Sequence, residues 1–226
     1  VNVFRHWFEG TLNYSPGDEF EKQFRAELAK SELLRINLSI LLLATFLLIG
    51  LFVLLGIREA DVFNTVSRIL GLFFPLVIGS MVVEVFSRRY VKQRLAKKLP
   101  IAPWFLILNT LVETSLPTVI LLLVIFNVNH SVIFYSPMIL LYFLFIILSV
   151  LHLSFWLSFF SGLIAAVQYL ITFFIMVNYA EPDEPLDPLM ASTSLVVART
   201  FVIFLCGVAS GFVAQEIKNR LLDTFG

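Results

Sequence analysis

The sequence predicts an all-α integral membrane protein: six transmembrane helices, an amphipathic N-terminal helix, and a cytoplasmic extension of the last helix. Three observations carry this reading. Apolar residues make up 59% of the 226 positions and charged residues 14%, against roughly 45–50% and 25% in soluble domains, and mean hydropathy is +0.91. The charges stand in blocks, with none from Ile36 to Ile57 (22 residues) and none from Thr114 to Ala180 (67 residues); one helical span needs about 20 apolar residues. The apolar runs are continuous, as in Leu41-Leu42-Leu43 and Ile120-Leu121-Leu122-Leu123, whereas barrel strands alternate. A soluble enzyme and a disulfide-knit secreted domain are excluded. Net charge is zero, so nucleic acid is not an expected partner. The single cysteine, Cys206, excludes an internal disulfide or a Cys-rich metal site.

Residues 1–34 read as a cytoplasmic N-terminal region. It is polar, with Arg5, Glu9, Asp18 and Glu19, and has no signal-peptide core. Phe4, Trp7 and Phe8 have the character of an interfacial anchor. Ser15-Pro16-Gly17-Asp18 is a helix start, with a capping hydroxyl, a proline in the first turn and an acid beside it. Phe20, Phe24 and Leu28 then form a stripe, and Glu21–Arg25 and Glu27–Lys30 fall on polar faces. Such a helix lies on the inner leaflet, packs on a partner, or simply leads into the first span.

The membrane domain spans 35–217, with helices expected over 35–57, 66–86, 101–126, 136–151, 154–177 and 195–217. Asn127, Asn129, His130 and Ser131 separate spans three and four; His152-Leu153-Ser154 separates four and five. With six spans, 13 of the 16 basic residues fall on the side of the termini. The opposite side keeps Arg58, Arg68, Arg199 and the acidic, proline-rich stretch Glu181–Pro188, read as a stiff connector. The positive-inside rule then puts both termini in the cytoplasm and the chain in the inner (plasma) membrane.

Residues 218–226 continue span six without Pro or Gly before Gly226. Ala214, Ile217, Leu221 and Phe225 begin a 3-4 apolar spacing, so Ile217, Leu221 and Leu222 are the candidates for signal output, as the start of a helical linker to an output domain; a short polar tail is the bland alternative. Gly207 and Gly211 form a GxxxG that Ala214 extends. Small residues one turn apart admit a close helix neighbour, either span six of a second copy, giving a homodimer, or another span of the same chain.

Intramembrane charge is costly and marks a site by default. Glu113 lies in span three among Asn109, Thr110, Thr114 and Ser115, just before Pro117, which is expected to kink the helix. Arg68 and Arg199 lie about a turn inside the outer ends of their spans. Together with Gln168, these three are the candidate ligand-binding or sensing residues, converging on an outward-facing pocket for a lipophilic or small-molecule ligand; the alternative is a structural ion pair and a snorkelling arginine. Glu84 is assigned to a local pair with Arg88 or Arg89, His152 to a loop, and Cys206 to apolar filling. No catalytic residue and no metal site is read in this chain: there is no nucleophile elbow, HExxH or phosphate loop.

The run Phe20-Glu21-Lys22-Gln23-Phe24-Arg25, then Arg35, six spans with a basic second cytoplasmic stretch, and Ala209-Ser210-Gly211-Phe212-Val213-Ala214-Gln215-Glu216-Ile217 leading to Leu221-Leu222-Asp223 resemble the six-span membrane module of bacterial class III adenylate or guanylate cyclases. Similar modules precede diguanylate cyclases and histidine kinases. The resemblance implies a homodimer in which span six passes a signal to a catalytic pair beyond Gly226, and Mg or Mn in that cyclase domain, with no cofactor in this chain. The competing expectation is a small six-span transporter or channel; against it, the two halves share no convincing repeat. A lipid-modifying enzyme has no base–nucleophile pair to support it.

Overall fold

The computed structural model describes residues 18–56, 60–127, 139–179 and 193–225. The chain runs α1 (Asp18–Gly56), α2 (Ala60–Ala96), α3 (Pro103–Asn127), α4 (Ile139–Leu148), a 3-10 turn (Ser149–His152), α5 (Phe155–Tyr179) and α6 (Thr193–Phe225). The described residues are helical apart from short turns. The anchor residues Phe4, Trp7 and Phe8, the Ser15–Pro16 cap, the break at Asn129–Ser131 and the acidic stretch Glu181–Pro188 lie outside the described residues.

Five helices, α1, α2, α3, α5 and α6, are long and apolar enough to cross a membrane. The element over Ile139–His152 is apolar but shorter than a span. Bundle faces are inverted relative to a water-soluble protein. Leu48, Phe52 and Leu55 on α1 and Phe201 and Phe212 on α6 are exposed, while Glu32, Arg35, Glu84 and Glu113 are buried. That distribution fits a hydrocarbon solvent.

Continuous apolar sequence makes long helices, and three run well beyond a bilayer core of about 30 Å: α1 with 39 residues, α2 with 37 and α6 with 33. Both α2 and α3 continue through an internal proline, Pro75 and Pro117. At Pro117 the missing N–H leaves the carbonyl of Glu113 without its helical donor, which loosens α3 beside its one carboxylate.

The most extensive packing is α5 on α6, then α1 on α2, with α3 joining the pairs through α5 and α2. Three apolar layers fill the bundle. Ala29, Ile36 and Val91 close one end. Leu43, Val77, Leu116, Ile120, Leu141 and Phe145 hold α1, α2, α3 and α4. Tyr142, Ile146, Ala165, Met176 and Ile203 join α4, α5 and α6, and Cys206 packs against that third layer. Between α4 and α5 the chain reverses on Leu153, which takes φ 51° and ψ 36°. A non-glycine residue there costs on the order of 1 kcal/mol; burial of its side chain holds it in place. The resulting turn touches α1, α5 and α6.

Candidate functional site

Each of the first three helices carries one polar stripe within its buried face. On α1 it is Glu32, Arg35 and Ser39; on α2, Glu84 and Ser87; on α3, Asn109, Thr110, Glu113 and Thr114. The spacings of 3, 4 and 7 put each set on a single side of its helix. The stripes meet beside the Ala29–Ile36–Val91 layer and next to the Leu43–Val77–Leu116 layer, so apolar side chains flank the network.

Arg35 is the centre. It is fully buried; Nε donates to Glu32 Oε2 at 3.0 Å and Nη1 to Glu113 Oε1. Glu113 Oε1 also accepts from Ser39 Oγ and from Asn109 Nδ2, both at 3.3 Å. Ser87 Oγ donates to Asn109 Oδ1 at 2.9 Å, which fixes the amide so that its nitrogen faces Glu113. His152 reaches in from the 3-10 turn, with Nδ1 on Glu32 Oε1 at 2.5 Å and Nε2 at 2.9 Å from Thr110 Oγ1. Ser31 Oγ donates to the carbonyl of Leu151 at 2.6 Å, tying α1 to the same turn. The carboxyl of Glu84 lies against that of Glu113.

This arrangement corrects the outward-facing pocket expected from sequence. Glu113 turns to Arg35, toward the end of the bundle where α1 begins. Arg68 is exposed and stands sixteen residues before Glu84 on α2, about 24 Å along the helix. Arg199 is half-buried on α6, twelve residues before Gly211, which meets Phe155 just past the turn; about 18 Å of helix separates them. Neither arginine joins Glu113. Gln168 serves a separate purpose: Nε2 donates to Ser115 Oγ at 2.7 Å and Oε1 accepts from Thr118 Oγ1 at 2.9 Å. Thr118 also bonds the Tyr142 hydroxyl at 2.7 Å, so Gln168 ties α5 to α3 and, through Thr118, to α4.

Two further assignments are refined. His152 lies in the short connecting turn, as expected, but is buried there as a clamp between α1 and α3. Glu84 faces Glu113 across the bundle, while Arg88 and Arg89 are exposed. The Glu27–Lys30 pair forms, at 2.5 Å; Phe24 is buried and Leu28 half-buried, whereas the Phe20 and Glu21–Arg25 side chains lie outside the described residues.

The small-residue face of α6 is occupied within the chain. A Cβ on Gly207 would stand 2.5 Å from Gly162 Cα, and one on Gly211 would be 3.0 Å from the Phe155 carbonyl. Ala214 is fully buried. Gly207 and Gly211 thus seat α6 on α5, and Phe201, Leu205, Phe212 and Val213 form its exposed face. Further along, Ile217 is exposed and Leu221 and Leu222 are half-buried.

At the opposite end of α1 from Glu32, a cavity of about 460 Å³ lies among α1, α2, α3 and α4, lined by residues such as Phe46, Val53, Leu70, Phe73, Leu123 and Leu144. Its lining is apolar throughout and includes none of Arg68, Glu113, Arg199 or Gln168. No known protein family, curated protein or solved structure matches the chain.

Proposed function

We propose that this chain is a membrane sensor and regulatory module, with six spans, both termini cytoplasmic, and α6 as its output to the catalytic domain of a class III nucleotide cyclase. One observation carries the reading. α6 is a single uninterrupted helix over Thr193–Phe225, about 50 Å long, so a displacement within the bundle is carried along one rigid rod past a bilayer core of about 30 Å. The 3-10 turn supplies the input, since it packs on α6 while His152 and Leu151 bind it to α1 and α3.

The mechanism is a population shift. A lipophilic ligand fits the apolar cavity, whose lining residues Ile120 and Leu141 belong to the layer above the ionic network. Its binding favours one packing of α1–α4, the network moves the turn, and the turn moves α6. In a homodimer, two such rods set how a catalytic pair meets. With the GxxxG face seated on α5, the exposed apolar face of α6 is the surface for a second copy.

The test is the native gene. An in-frame class III catalytic domain after codon 226, with cyclic nucleotide formed from ATP or GTP by membranes carrying the whole product, supports the reading. A different output domain reassigns the module to a diguanylate cyclase or histidine kinase. A stop codon there overturns the cyclase assignment. The buried acids favour one second reading, a small transporter, because intramembrane carboxylates line many transport paths; uptake by liposomes containing the purified chain separates the two.

A further inference from the structure

The contact between Glu84 and Glu113 is unlike the other polar contacts of the network, because neither side brings an ordinary donor. The charged and titratable groups around it are Glu32 and Arg35 from α1, Glu84 from α2, Glu113 from α3 and His152 from the turn. Arg35 divides its guanidinium between Glu32 and Glu113, and His152 binds the other oxygen of Glu32. Glu84 is the carboxyl left over. It is 97% buried, at 3% exposure, and its Oε2 has no hydrogen-bond partner among the described residues. Arg35 Nη2 is in the same position. An acceptor and a donor, both sealed from solvent, face one polar layer without partners.

We propose that Glu84 carries a proton and donates it in a hydrogen bond to Glu113, forming a proton-binding site inside the bundle. Two carboxylates in contact within a low-dielectric layer repel strongly, and cannot both be ionised there. One shared proton converts that repulsion into an O–H···O⁻ hydrogen bond, among the strongest available. The donor set opposes a metal ion. A guanidinium stands within the layer, and among the described residues no three of His, Cys, Asp and Glu are grouped to hold one.

The site also has a route outward. Losing the proton leaves a second carboxylate competing for Arg35, whose other partner, Glu32, holds His152 and with it the turn against α6. This consequence rests on α6 being the output; the proton site does not.

The experiment uses the full chain in lipid nanodiscs and pH-difference infrared spectroscopy of the carboxylic acid C=O stretch. Wild type is expected to show, at neutral pH, a protonated buried carboxyl that releases one proton per chain as pH rises. E84Q should lose that band and still fold, because an amide reproduces the donor that a protonated Glu84 offers Glu113. Absence of the band at neutral pH in wild type overturns the proposal without recourse to any variant, as does a band that survives in a folded E84Q. Titration with sodium at fixed pH separates the cations: an unchanged band supports the proton, and bleaching by sodium overturns it in favour of a metal ion. The band is read on the chain itself, so failure of the cyclase assignment leaves this result untouched.

Discussion

Arg35 and Glu113 are 78 residues apart in the chain and form an ion pair in the interior of the bundle, with Arg35 fully buried. The pair joins the first helix to the third, and Arg35 extends it to Glu32 on its own helix.

Removing the guanidinium should therefore be costly. R35A leaves Glu113 and Glu32 buried without their cation, and breaking one partner out of a buried pair costs about 3–5 kcal/mol. The expected result is a chain that unfolds at much lower denaturant, or is not recovered in folded form, when reconstituted in bicelles. R35K should not restore it, because one ammonium cannot reproduce the forked geometry that serves two carboxylates. The double variant R35M/E113M replaces charge with apolar volume and should be more stable than R35A. Equal instability of the two would contradict the pairing.

His152 makes a different prediction, local rather than global. Its imidazole holds Glu32 and Thr110, and Ser31 holds the neighbouring carbonyl. H152A strips a buried acceptor of its donor, at about 1–3 kcal/mol, and frees a turn whose Leu153 already sits in an unfavourable backbone region. Hydrogen exchange should quicken first over Ser149–Ser154 and the adjacent turns of α6, while α2 keeps its protection. Uniform acceleration across the bundle would show that the turn is not a separate unit.

Five of the six expected spans match helices long and apolar enough to cross a membrane among the described residues, because charge is excluded in blocks such as Ile36–Ile57 and Thr114–Ala180; the fourth, expected over 136–151, is a shorter element over Ile139–His152. Partnership was not legible. Arg35 and Glu32 sit at the edge of a charge block and read as cytoplasmic; Glu84 had nearer cations in Arg88 and Arg89; His152 filled a gap between apolar runs. Helix pairing at separations of 78 and 120 residues leaves no local trace. One signal was present nonetheless. Glu32-Arg35-Ser39, Ser80-Glu84-Ser87 and Asn109-Glu113 fall at spacings of 3 and 4, and a polar stripe on an otherwise apolar helix must face inward when the outside is lipid. Glycine in α6 was legible as a close contact but not as to which helix meets it, since any small surface would serve.

Gln168 tests whether a polar residue within a span is a ligand contact or a tie. Its amide joins Ser115 and Thr118, and interhelical hydrogen bonds in membranes average about 0.6 kcal/mol each. Q168L should cost about 1 kcal/mol, and a folded Q168L should respond to a lipophilic ligand as wild type does. A loss of response at unchanged stability would return Gln168 to the sensing site.

The contact between α5 and α6 gives the sharpest contrast between glycines. At Gly207 and Gly162 an added Cβ would stand 2.4–2.5 Å from the facing Cα. The obstacle is backbone on both sides, with no flexible side chain to swing away, so G207A must push the helices apart. Overpacking of this kind costs about 1–3 kcal/mol, and G207V should exceed G207A. At Gly71 and Gly79 of α2 nothing lies within 4 Å of the added atom, and alanine is the better helix former by up to about 1 kcal/mol; G71A and G79A should be neutral or stabilising. Unfolding measured side by side in bicelles decides it. If G207A matches G79A, α6 is not seated on α5 through its glycines, and that face becomes available to a second copy of the chain.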